Sequence, residues 1–173
     1  MNSAVVDHQF EVYELLKDAI KITRRSVGRG NYDLHSRTSL VGEAPRATHE
    51  RFDHAETELQ DVMILSMVAS FERELRTAIQ DAFESNTTVG NDTMGELVNL
   101  TFDSIERWTV KDIINALSPA VDEELRGHVE QIYDYRNWVA HGRSPKKQPP
   151  ARTDARTVAT KLTSFLEQSK GAL

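Results

Sequence analysis

The chain has 173 residues, with 21 Lys+Arg against 27 Asp+Glu, a formal net charge of −6 and no cysteine. That length predicts one domain over residues 1–173, with enough buried surface to need no disulfide or metal staple. The missing cysteine excludes a thiol nucleophile, thiolate metal ligands and a disulfide framework. Residues 1–10 carry Asp7 and His8 rather than a signal-peptide apolar core. The most apolar stretch, 62–71, is interrupted by Ser66 and Ser70 and is too short to cross a bilayer. A soluble, cytoplasmic protein with no membrane partner is the expectation.

The periodicity is helical nearly throughout, and no alternating strand pattern stands out. Phe10, Tyr13, Leu16, Ile20 and Val27 recur at helical spacing and predict an amphipathic helix over 8–27, ended by Gly28 and Gly30. Residues 28–53 show no period and are expected to form a long loop. Ile64, Met67, Val68, Phe71, Leu75, Ala78, Ile79 and Ala82 make one stripe on a helix over 55–83. Leu59, Val62, Met63 and Leu65 widen its apolar surface, which suits a central bundle position. Residues 86–91 should break it.

Shorter helices are expected next. Thr93 with Glu96, and Thr109 with Asp112, read as capping boxes. Ser118 and Pro119 read as a cap and first-turn proline, with Asp122, Glu123 and Glu124 near the positive helix end. This helix should run through Leu125, Val129, Ile132, Arg136 and Val139 to His141, where Gly142 stops it. A basic linker over 143–152 then leads to a last helix with Val158, Leu162, Phe165 and Leu166 inward. The fold class is all-α, a bundle of about five helices.

Divided by position, the charge is uneven. Residues 21–51 hold seven bases and three acids, and residues 136–161 hold seven bases and one acid. Residues 52–135 hold 18 acids and five bases. The two basic stretches make a polyanionic partner reasonable, provided that they converge in the fold. His49 and His54, with Glu50 and Asp53 between them, lack the spacing of a complete ligand set. No metal or cofactor is expected. Tyr135 and Trp138 are aromatics suited either to stacking on a base or to packing in a core or dimer contact.

One segment gathers reactive side chains: Arg136, Asn137 and His141 at a helix C-terminus. Asn137 and His141 are four apart and share a face, with Arg136 at its edge. An arginine can hold a phosphate by two hydrogen bonds while a histidine transfers a proton. Spacing alone is the more ordinary signature of a cation at the negative end of the helix dipole, with Arg136 in an ion pair.

The run Arg136-Asn137-Trp138-Val139-Ala140-His141 resembles the R-N-x-x-x-H signature of the HEPN superfamily, on its last long helix and followed by Gly142. Met67 to Leu75, which includes Glu72, resembles the long second helix of that superfamily. The helical order matches over roughly residues 8–169, closest to the stand-alone RiboL-PSP-like group of bacterial defence loci. The resemblance implies a HEPN-like bundle with an up-and-down core and a metal-independent endoribonuclease, a toxin or phage-defence effector. It further implies a homodimer whose two motifs line one cleft, with RNA as substrate and an antitoxin or defence-system partner. By similarity, His141 would transfer a proton for attack of a 2′-hydroxyl on phosphorus, and Arg136 would hold the scissile phosphate. Asn137 would orient the histidine or bind substrate, and Glu72 would position Arg136 or stand as a solvated helix charge. Toxins of this family that pair with a nucleotidyltransferase antitoxin often carry Tyr two residues after the histidine. Here that residue is Arg143, which begins a basic run with Lys146 and Lys147 suited to RNA backbone. The alternative reading is a catalytically silent HEPN module that binds RNA or a protein.

Overall fold

The computed structural model describes residues 2–31, 33, 36–87, 107–144 and 150–170. These form five α-helices and one 3-10 turn, with no strand among the described residues: α1 (Ala4–Gly28), α2 (Pro45–Thr87), α3 (Val110–Leu117), the turn Ser118–Ala120, α4 (Glu123–Ala140) and α5 (Ala155–Ser169). The all-α expectation holds. The capping signal at Thr93 and Glu96, and the predicted break over 86–91 beyond Thr87, lie outside the described residues.

Three boundaries differ from the expectation, each for a local reason. The loop expected over 28–53 ends early, because α2 starts at Pro45. Proline suits a first helical position, where its missing N–H has no partner to lose. The inward face of this opening turn is only Thr48 and Phe52, both buried, which is too sparse a pattern to read. Second, α1 starts at Ala4 and anchors itself with Val6, which is fully buried. It packs on a narrow seam of Val6 and Tyr13, seven residues apart, and Leu16 is 42% exposed rather than inward. Third, Ser118 and Pro119 form a separate 3-10 turn, and Asp122 caps α4 by accepting from Leu125 N–H at 3.1 Å. The extended, buried Val121 separates the two elements.

Other signals act as read. Thr109 and Asp112 form the reciprocal capping box of α3. Asp154 caps α5, accepting from Arg156 and Thr157 N–H at 3.0 Å. Val158, Leu162, Phe165 and Leu166 are all buried.

Side-chain pairs fix the directions of the helices. Asn2 N–H donates to Glu74, Ser66 donates to Gln9, and Arg24 reaches Asp53, so α1 runs antiparallel to α2. Tyr135 on α4 reaches Asp61, and Arg143 beyond its end reaches Glu58, which makes α4 antiparallel to α2 as well. Arg156 pairs with Glu14 and Thr163 with Asp7, so α5 runs antiparallel to α1. The result is an up-and-down bundle around α2, with α3 as a short addition. Phe71 of α2 meets Phe165 of α5 edge to face, 5.5 Å between ring centroids, at the centre of the core. Edge-to-face contact suits the ring quadrupoles.

Candidate active site

The site is built on the C-terminal end of α4. His141 is the C-cap residue, with Gly142 and Arg143 beyond it at φ 76° and φ 53°. Gly142 N–H donates to Val139 O at 3.0 Å and Arg143 N–H to Trp138 O at 2.9 Å. This is a Schellman ending, which satisfies carbonyls that the helix would otherwise leave open. Glycine occupies the first left-handed position at little cost. Arg143 occupies the second, where an L side chain is disfavoured.

The reason Arg143 stays there is electrostatic. Its guanidinium pairs with Glu58 at 2.6 Å and with Asp61, both on α2. These two carboxylates raise its pKa well above the ordinary arginine value. The arginine in turn holds Glu58 below the usual carboxylate range. Asp61 is 3% exposed, and its other oxygen accepts the Tyr135 hydroxyl at 2.7 Å. Burial, and then the bond to Asp61, push the Tyr135 pKa up to about 12. One buried carboxylate thus ties the middle of α4 and the turn after it to α2.

Arg136 and Asn137 are half-buried, whereas His141 is exposed. Arg136 Nη1 donates to Asn137 Oδ1 at 2.9 Å, and the guanidinium lies 5.6 Å from the Tyr133 ring centroid. Asn137 and His141 are about 40° apart around the helix axis, and Arg136 is about 140° from His141. The Arg136–Asn137 bond therefore draws the guanidinium toward the face that carries His141. Arg136 Nε is buried and has no hydrogen-bond partner among the described residues.

Glu72 makes no ion pair with Arg136. Its carboxylate instead faces Tyr133, whose pKa is raised by burial first and then by that negative charge. Tyr133 thus lies close to both Glu72 and Arg136. Glu72 Oε1 is buried with no hydrogen-bond partner among the described residues.

Arg143, expected to hold RNA backbone, is committed to Glu58 and Asp61. Lys146 and Lys147 lie outside the described residues. One arginine from each basic stretch reaches α2 between residues 53 and 61. Arg24 pairs there with Asp53 at 2.7 Å and Glu56 at 3.4 Å, a few residues before Arg143's partners. One arginine of each stretch is thereby neutralised on α2. His49 and His54 are both exposed, and no three His, Asp or Glu side chains group as a metal site among the described residues.

Asp61 and Glu58 are the residues that sequence reasoning missed. The signal for Asp61 was present: it occupies the inward register of Ile64, Val68, Phe71 and Leu75, all buried. A carboxylate on a core stripe needs a partner, since an unpaired buried charge is costly. Comparison with family models, curated proteins and solved structures finds no match for this chain.

Proposed function

We propose that this protein is a metal-independent endoribonuclease of HEPN type, acting through Arg136, Asn137 and His141. The observation that carries the reading is the Arg136–Asn137 hydrogen bond, which turns a half-buried guanidinium toward the face of the exposed His141. One Arg136 donor is committed to Asn137, and no carboxylate pairs with this arginine among the described residues. Its charge is therefore available to a phosphate, where guanidinium geometry favours two hydrogen bonds.

In this reading His141 removes the proton of a 2′-hydroxyl, and that oxygen attacks the adjacent phosphorus. The 5′-oxygen of the next nucleotide leaves and takes up a proton, so the products are a 2′,3′-cyclic phosphate and a 5′-hydroxyl end. Arg136 stabilises the charge that develops on the phosphoryl oxygens, and Asn137 fixes the guanidinium. The Schellman turn and the Asp61 tie hold the His141 backbone against α2. We place the protein as a homodimer with a composite cleft, in a toxin or defence role.

The test is RNA cleavage in EDTA by the purified protein, with analysis of the new ends. Wild type should cut and leave cyclic phosphate, while His141→Ala and Arg136→Ala lose at least about a hundredfold in rate. Equal cleavage by wild type and both variants would sink the proposal. RNA binding with no cleavage by wild type would favour the silent module instead.

A further inference from the structure

A second feature at this end of the bundle has no role in the chemistry above. A cleft of about 370 Å³ opens between α2, the C-terminal half of α4 and the segment that enters α5. That volume is at the lower end of the range of small-molecule sites. Its walls include the rings of Tyr135 and Trp138, with Pro150 and Arg152 from the incoming segment. The two rings sit 5.9 Å apart at 44°, tilted rather than stacked on one another. Trp138 Nε1 is shielded from water and has no hydrogen-bond partner among the described residues.

Charge decides what class of molecule fits. Of the charged side chains that line the cleft, Arg143 and Asp61 pair and offset one another. The third, Arg152, is exposed and forms no ion pair among the described residues, so it is the charged group of the lining left open to a ligand. It lies close enough to Tyr135 for its charge to oppose the rise in that phenol's pKa. Its segment is anchored on both sides of Thr153: Gln60 donates to Thr153 O at 3.3 Å, and Asp154 caps α5. A flat aromatic group beside Trp138 and an anion on Arg152 together describe a nucleotide. Stacking on aromatic side chains and phosphate contact by arginine are the general means of holding single-stranded RNA.

We propose that this cleft is a nucleotide subsite, taking one base against Trp138 and the attached phosphate on Arg152. Trp138 lies two residues after Arg136, about 160° from it around the helix axis, so the cleft opens on a different side of α4 from Arg136. The choice of RNA as the source of that nucleotide rests on the nuclease reading above. The cleft itself is testable without cleavage.

The chain has two tryptophans, so Trp108→Phe leaves Trp138 as the sole indole reporter. AMP should change its fluorescence saturably, and adding Arg152→Ala should weaken the apparent Kd about tenfold, as expected for loss of a charged hydrogen bond. Adenosine should bind more weakly than AMP, and His141→Ala should leave AMP binding unchanged. No saturable change at about 10 mM AMP, or identical curves with and without Arg152, overturns the proposal. Arg152-dependent AMP binding by a protein that cuts no RNA would keep the cleft and remove the nuclease. Cleavage without Arg152-dependent binding would do the reverse.

Discussion

Asp61→Ala is the most informative perturbation of this fold, because one buried side chain serves two partners. Its removal leaves the buried Tyr135 hydroxyl without its acceptor at 2.7 Å. An orphaned buried polar group costs about 1–3 kcal/mol. Arg143 loses one of two carboxylates, but its side chain is 33% exposed and keeps Glu58, so this part is worth about 1 kcal/mol or less. The expected loss is about 3 kcal/mol in urea unfolding, or about 6–12 °C in Tm for a chain of this size. Asp61→Asn keeps an acceptor for Tyr135 and should cost about 1 kcal/mol. Tyr135→Phe combined with Asp61→Ala should fall short of the summed single effects by about 1 kcal/mol, because both remove the same bond. Amide exchange at Gly142 and Arg143 should quicken in Asp61→Ala, since the turn loses its tie to α2. A cost below about 1 kcal/mol, or strict additivity with Tyr135→Phe, would refute the clamp.

Other outcomes follow from the same geometry. Gly142 sits at φ 76° with open space around its missing side chain, so Gly142→Ala should cost about 1 kcal/mol through backbone strain alone. Gly142→Asn should recover part of that in the same denaturation assay, because asparagine tolerates the left-handed region. Asp154 titrates below its ordinary value, chiefly through its bond to Thr157, and the folded state therefore favours its charged form. Its stabilising share is present above the unfolded carboxylate value near 4 and is lost as pH falls through the depressed folded value. Denaturation midpoints measured from about pH 5 to 2 should show this loss, and Asp154→Asn should flatten it. Ultraviolet titration should find a tyrosine that ionises only near pH 12, and Tyr135→Phe should abolish that phase. An unchanged curve in that variant would place the late phase elsewhere.

The elements least ambiguous in sequence were those in which one local signal decides. The capping box at Thr109 and Asp112, the stripe from Ile64 to Ile79 and the inward set of α5 all depend on neighbours within a few residues. The glycine at 142 belongs with them, since the left-handed turn it permits follows from its missing Cβ. The start of α2 was illegible because only Thr48 and Phe52 face inward there, and two residues set no period. Leu16 was misread because spacing shows which residues share a face but not which face meets a partner. Val6 and Tyr13 won that contact on α1.

The candidate site divides along the same line. The sequence by itself placed Arg136, Asn137 and His141 at one helix end, because the helical repeat and the stop at Gly142 fix their relative positions. It also contained the charge asymmetry, but not the outcome of that asymmetry. Only tertiary structure decided that Arg143 pairs with Glu58 and Asp61, more than 80 residues away in the chain. It likewise turned Glu72 toward Tyr133 rather than Arg136, and left Arg152 with no ion pair among the described residues, in the cleft that Trp138 lines. The physical reason is that charge pairing depends on distance and burial, and in a bundle the packing of distant helices sets both.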